Sequence, residues 1–241
     1  MILALDLAFA QNAQGGGGDP IARPLVLMLA LAAVGLVPFV MVMFTAFVKI
    51  VVVLALIRTA LGTQQIPPNQ VITGMALILT IYVMLPVGLE IKENTQSIIR
   101  AKTGRPLLSN ASVDLLMKAV EKGREPMRTF LLRHCHDKDR AMFFQLGKKM
   151  RKPKHRNELG EKDFAVVVPA FIVSELKEAF QIGFIIFLPF LVIDMVVANI
   201  LLSLGMFMLS PVMVSLPFKI LLFVLVDGWF LITRGLMYGY V

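Results

Sequence analysis

Charge is what this sequence is short of. Asp, Glu, Lys and Arg make up 17% of its 241 residues, against 57% hydrophobic, and the mean hydropathy is +0.78. Soluble domains run near a quarter charged and at most half apolar, so one soluble core cannot account for the whole chain. Cysteine is nearly missing as well. Cys135 stands alone, which excludes an intrachain disulfide. Histidine is confined to His134, His136 and His155, all between residues 92 and 163, so no apolar stretch carries an imidazole for metal or acid–base chemistry. His134-Cys135-His136 has metal-ligating residue types, but neighbours on a helix point about 100° apart and the sequence offers no second ligand pair. No metal, no cofactor and no catalytic residue is assigned, and an enzyme is not expected.

Long apolar runs fill the space that charge leaves. Residues 24–48 are uncharged and the run continues past Lys49 to 57; residues 71–89 are uncharged; 179–209 is broken only by Asp194; a last run covers 212–237. A bilayer core takes roughly 20 apolar residues as a helix, because every backbone amide must be bonded internally. Three of the four runs reach that length and 71–89 is marginal. The predicted fold is all-α: a polytopic membrane protein of helical hairpins, with broken helices and a small helical extramembrane insert.

Four segments follow. Residues 1–23 are an N-terminal tail, apolar to Ala10 and then Gly-rich, open to reading as a remnant signal peptide or as a simple tail. Residues 24–91 form a first hydrophobic hairpin, kinked at Pro38 and turned at Gly62–Asn69, where Pro67 and Pro68 sit together. Residues 92–163 are a basic soluble insert, with helical patterning at Val113, Leu116, Met117 and Val120. Residues 164–241 are a second hydrophobic region. Its first 45 residues are too long for one crossing, and Pro169, Gly183 and Pro189 predict a break there; 205–211 reads as a turn before a final helix over 216–237.

The insert holds 18 of the 24 basic and 9 of the 16 acidic residues, a net of +9, while the rest of the chain nets −1. Its densest stretch, residues 148–156, lacks the interleaved aromatics of a nucleic-acid site. A solvated surface near anionic lipid or a partner fits better, and no nucleic acid is expected.

Charges within apolar segments cost about 2.5 kcal/mol or more each at mid-membrane. Here they are Lys49, Glu175, Lys177, Glu178, Asp194, Lys219 and Asp227. Glu175 and Glu178 share a helix face and Lys177 lies off it. The near balance of sign points to pairing between packed helices or subunits; a proton relay or ion site is the sharper alternative.

Four stretches carry a resemblance: 61–69 (LGTQQIPPN), 174–184 (SELKEAFQIGF), 187–194 (FLPFLVID) and 216–229 (LPFKILLFVLVDGW). In this order they are similar to the signatures of the FliP/SctR family, core subunits of type III secretion export gates, with Gln64-Gln65 and Gly88-Leu89-Glu90 closer to the injectisome branch than the flagellar one. The resemblance implies a non-enzymatic subunit of the bacterial inner membrane. It would form a pentamer with itself and join Q-type and R-type small membrane proteins and other export-apparatus membrane proteins around a channel for unfolded secreted proteins. It further implies that Met206, Phe207 and Met208 align with a methionine-rich gasket loop, here with Phe207 in its middle, and that Glu175 serves assembly. It places the insert on the periplasmic side. The positive-inside rule would put it in the cytoplasm, but that rule weakens for loops beyond about 60 residues. A secondary transporter, the main rival, would carry inverted repeats, and none is found in the sequence.

Overall fold

The computed structural model describes residues 42–63, 66–100 and 110–241, together with Met28, Leu31, Ala32, Gly35, Leu36 and Phe39. The tail 1–23, Pro38, Gln64 and Gln65 lie outside the described residues, as do the side chains of Val113, Leu116 and Met117. The chain divides after Met41 into two units, and the six residues described in the first are helical.

The second unit is all helix; the described residues include no strand. Helix α1 (Phe47–Leu61) is its centre. Ile50, Val53, Leu54, Ile57, Ala60 and Leu61 recur at helical spacing and are buried. Gly62 stops the helix at φ +74°, returning its N–H to the Thr59 carbonyl, a left-handed position that glycine takes without a Cβ penalty. In the turn that follows, Arg58 Nη1 lies 2.5 Å from Asn69 Oδ1 and so fastens α1 to the start of α2.

Helix α2 (Asn69–Arg100) keeps going where the uncharged run ends at Leu89, carrying Glu90, Lys92 and Glu93 out of the apolar part without a break. Helix α3 (Asn110–Arg133) lies against it; a Cβ on Gly123 would stand 3.5 Å from Ile91. Helix α4 (Asp137–Met150) and a 3-10 turn (Pro153–Glu158) complete the insert.

Helix α5 (Phe164–Ser203) departs from expectation. Where Pro169, Gly183 and Pro189 predict a break, the chain forms one 40-residue helix. Pro169 and Pro189 each forfeit one backbone bond, to the Ala165 and Ile185 carbonyls, from within a long helix. Gly183 is explained by packing: a Cβ there would lie 2.3 Å from Leu56 Cδ1 of α1. Glycine lets the two helices touch.

The break falls instead in the final run, which the sequence reads as one helix over 216–237. Helices α6 (Pro211–Leu225) and α7 (Gly228–Tyr238) meet at a 60° bend. Asp227 takes left-handed angles (φ 52°, ψ 53°) there. A Cβ on Gly228 would stand 2.3 Å from the Phe223 ring, which packs edge-on against Trp229 with centroids 5.3 Å apart. By length and composition, α5 and residues Asn69–Gln96 of α2 can each cross a membrane, and the bent α6–α7 pair makes a third if it counts as one span.

The corner is testable. Gly228→Ala drives a methyl into the Phe223 ring, and overpacking of this kind costs about 1–3 kcal/mol. The variant is expected to melt at lower temperature in detergent, and Gly228→Ala/Phe223→Leu to recover most of the loss. An unchanged melting curve for the single variant would refute this account of the bend.

Candidate functional site

Three features gather all but Asp227 of the residues that the sequence singles out: a charged seam beside α1, a second ion pair at its far end, and an exposed apolar loop.

Lys49 of α1 is 2% exposed, and a lone ammonium so placed would be very costly. Two carboxylates one turn apart on α5 meet it. Its Nζ lies 3.0 Å from Glu175 Oε1 and 2.6 Å from Glu178 Oε2. Glu175 is wholly buried, and its other oxygen accepts the Tyr240 hydroxyl proton. The Tyr240 ring also faces the ammonium, 4.3 Å from Nζ to centroid, a cation–π contact worth more when desolvated. Glu178 Oε1 continues the chain of contacts to His136 Nε2 at 2.7 Å. His136 Nδ1 in turn lies 3.6 Å from Asp139 Oδ2.

Ser174 knits the same seam to the insert. Its Oγ accepts the His136 backbone N–H at 3.0 Å and lies 2.9 Å from Asp139 Oδ2. Lys177, on another face of α5, reaches Asp139 Oδ1 at 3.8 Å. Four pieces of chain therefore converge: α1, the start of α4, α5 and the C-terminal residues. The sequence points to Lys49, Glu175, Lys177 and Glu178, but not to His136, Asp139, Ser174 or Tyr240. No local signal marks those four as a group, since the hydrogen bonds that bring them together with α5 span 35–65 residues. His134-Cys135-His136 is the corner joining α3 to α4. The His134 ring is packed between Phe130 and Tyr240, with centroids 4.8 and 4.9 Å away. Burial first, then the nearby Lys49 and Arg133 charges, lower its pKa to about 4. Cys135 is buried, and burial pushes its thiol up.

At the other end of α1, Lys219 of α6 is 3% exposed. Its Nζ lies 2.6 Å from Asp194 Oδ2 of α5 and 3.5 Å from the Ala60 carbonyl in the last turn of α1. That carbonyl sits at the negative end of the helix dipole. Ser215 donates to Asp194 Oδ1 at 2.5 Å. Asp227 joins no such group: it is exposed at the α6–α7 corner, with no cation within 4 Å among the described residues.

Between α5 and α6 the chain projects Met206, Phe207 and Met208, which are 44%, 76% and 99% exposed. Both roots of this loop are fixed. At the end of α5 the Met206 N–H bonds to the Leu201 carbonyl (2.9 Å) and the Gly205 N–H to Leu202 (3.1 Å), with Gly205 left-handed at φ +74°. This is the paired closure of a Schellman motif. Pro211 opens α6, where its missing N–H is no loss. Along the two helices that flank the loop, Phe184, Ile185, Leu188, Val192 and Met195 of α5 and Met213, Leu221 and Val224 of α6 are also exposed. So broad an apolar surface calls for lipid or protein cover.

Comparison with known proteins gives a family match across most of the chain. The FliP family profile matches residues 30–236. The chain is 46% identical over 215 residues to the flagellar biosynthetic protein FliP of Bacillus subtilis, covering 89% of this chain and 90% of that protein. It is 44% identical over 214 residues to the Yop proteins translocation protein R of Yersinia pestis (89% and 95%). It is 39% identical over 214 residues to the hypersensitivity response secretion protein HrcR of Ralstonia nicotianae (89% and 96%). Identity does not separate a flagellar from an injectisome branch.

The seam generates two expectations. Lys49→Met strands Glu175 without its cation and should cost about 3–5 kcal/mol, whereas Lys49→Met/Glu175→Leu should recover much of that loss; a double-mutant cycle on thermal unfolding measures the coupling. Additive losses would show that the two side chains do not act as a pair. Secondly, His134 stays neutral in the folded chain down to about pH 4, while the unfolded chain takes up its proton below about 6.5. Its contribution to stability is thus complete above pH 6.5 and lost as pH falls towards 4. Replacing it by Gln should flatten that part of the melting-temperature profile; an unchanged slope would contradict the assignment.

Proposed function

The chain belongs to the FliP family, and from that membership we propose that it is a core subunit of a type III secretion export gate, lining and sealing the channel through which unfolded proteins cross the inner membrane. Members of the family are structural subunits of secretion apparatus, not enzymes, and relatives are named for translocation and secretion. The apolar helices and those relatives together make this chain an inner-membrane component of that apparatus.

Beyond this coarse role, the reading is that several copies, five by family resemblance, assemble with Q-type and R-type small membrane proteins. The bare apolar faces of α2, α5 and α6 supply the surface such an assembly covers. The insert then stands on the periplasmic side. Glu175 and Glu178, held on Lys49, set the register of α1 on α5, and Lys219 with Asp194 sets that of α6.

One observation carries the gasket: Met206-Phe207-Met208 is exposed although apolar, and is held out between the Schellman end of α5 and the Pro211 start of α6. Thioethers are unbranched and polarizable, so a ring of them closes against varied shapes, and an apolar constriction resists water and ions. Phe207 adds a stiffer element to that ring.

Replacing Met206, Phe207 and Met208 together by Ala should leave the hetero-oligomer intact by native mass spectrometry and raise ion leakage across the membrane. Normal assembly with leakage no greater than wild type would sink the gasket.

A further inference from the structure

The sealing role leaves one conspicuous surface unused, the outer side of α4 with the 3-10 turn behind it. We infer that this crest is a docking site for an acidic amphipathic helix of a partner protein in the apparatus. The inference depends on the chain working inside that assembly and is independent of the gasket loop.

Charge is the first observation. Between residues 148 and 158 stand six Lys and Arg residues against Glu158 alone. Glu158 is taken by His155, 3.0 Å away, and none of the six cations has a carboxylate within 4 Å among the described residues. Lys149, Lys152, Lys154 and Arg156 are exposed. Unpaired like charges so close together repel, and an opposite charge relieves them.

The second observation is that the crest is ordered. Buried Leu159 packs so tightly on Gly147 that a Cβ there would lie 2.8 Å from Leu159 Cδ2, pinning the turn back against α4. Arg156 Nε also donates to the Arg151 carbonyl at 3.2 Å. Ordering of this kind fixes the backbone positions from which the cations project.

The third is an apolar stripe. Met142, Leu146 and Met150 are exposed at i, i+4 and i+8 along α4, the spacing that an amphipathic helix presents to another. Unbranched Met suits a surface that adapts to its partner.

Place decides between protein and lipid. The first sixteen residues of α5, 164–179, are largely covered by α1 and the insert, and the bare apolar face begins at Phe180. Helix α4 meets α5 at Ser174 and Glu178 with its first turn and then leads back through the 3-10 turn to Phe164. The basic end therefore lies about 24 Å along α5 from the apolar half, beyond easy reach of the bilayer that half occupies.

A photoreactive residue at Leu146 or Met150, in the assembled apparatus in cells, tests this. The expected adduct is a protein segment with Asp and Glu around helically spaced apolar residues. Lys149→Glu/Lys152→Glu/Lys154→Glu should lower its yield by about tenfold or more, and changing the mapped acidic residues to Lys should restore it. The corresponding Lys→Gln variant, checked for wild-type resistance to chymotrypsin, whose sites the substitution leaves in place, guards against misfolding. Adducts with lipid alone, no adduct, or a protein adduct indifferent to charge reversal would each overturn the inference. A failed leak assay would leave it standing.

Discussion

One buried ammonium holds this fold in register. Lys49 has no water to fall back on, so α1 is held where Glu175, Glu178 and the Tyr240 ring surround it. Sliding α1 by a residue would pull the charge out of reach, at a cost no apolar contact could offset. The neighbours of those carboxylates extend the constraint: His136 and Ser174 bring in the insert, and Tyr240 brings in the end of the chain. Apolar packing acts in the same direction, since Gly183 leaves room for Leu56 at one register only. Polar pairing adds a penalty for slipping that falls on charge and not on shape alone.

The same logic explains the low charge content. The insert-proximal half of α5 is covered by protein, while its other half, α6 and one face of α2 are bare and apolar. Charges survive in the apolar segments mainly where the fold gives them a partner. Lys219 illustrates the economy of the arrangement, holding Asp194 and capping the last turn of α1 with a single group.

Sequence reading recovered what is local. Apolar runs marked the long helices, though not that α2, the first of them, carries on past Leu89 into charged sequence. The cost of charge in apolar surroundings drew attention to Lys49, Glu175, Glu178, Asp194 and Lys219. It could not name His136, Asp139, Ser174 or Tyr240, because contacts across dozens of residues leave no periodic trace. Proline misled for a physical reason: Pro169 and Pro189 look like breaks, yet a long helix tolerates the loss of a backbone bond more readily than the loss of its packing surface. Asp227-Gly228, hidden in an unbroken apolar run, breaks the final helix instead, through a left-handed residue and a ring that leaves no room for a Cβ.

Helix α5 joins the charged seam to the apolar loop without interruption. Forty residues make a rod of about 60 Å. Glu175 and Glu178 hold it on α1 about a third of the way along, Gly183 touches α1 beyond them, and Lys219 ties Asp194 to the last turn of α1. Met206–Met208 stand just past the last of these holds. A rod held at several points travels as one piece, so a shift of the insert reaches that loop as a rigid displacement, with no joint needed along the way.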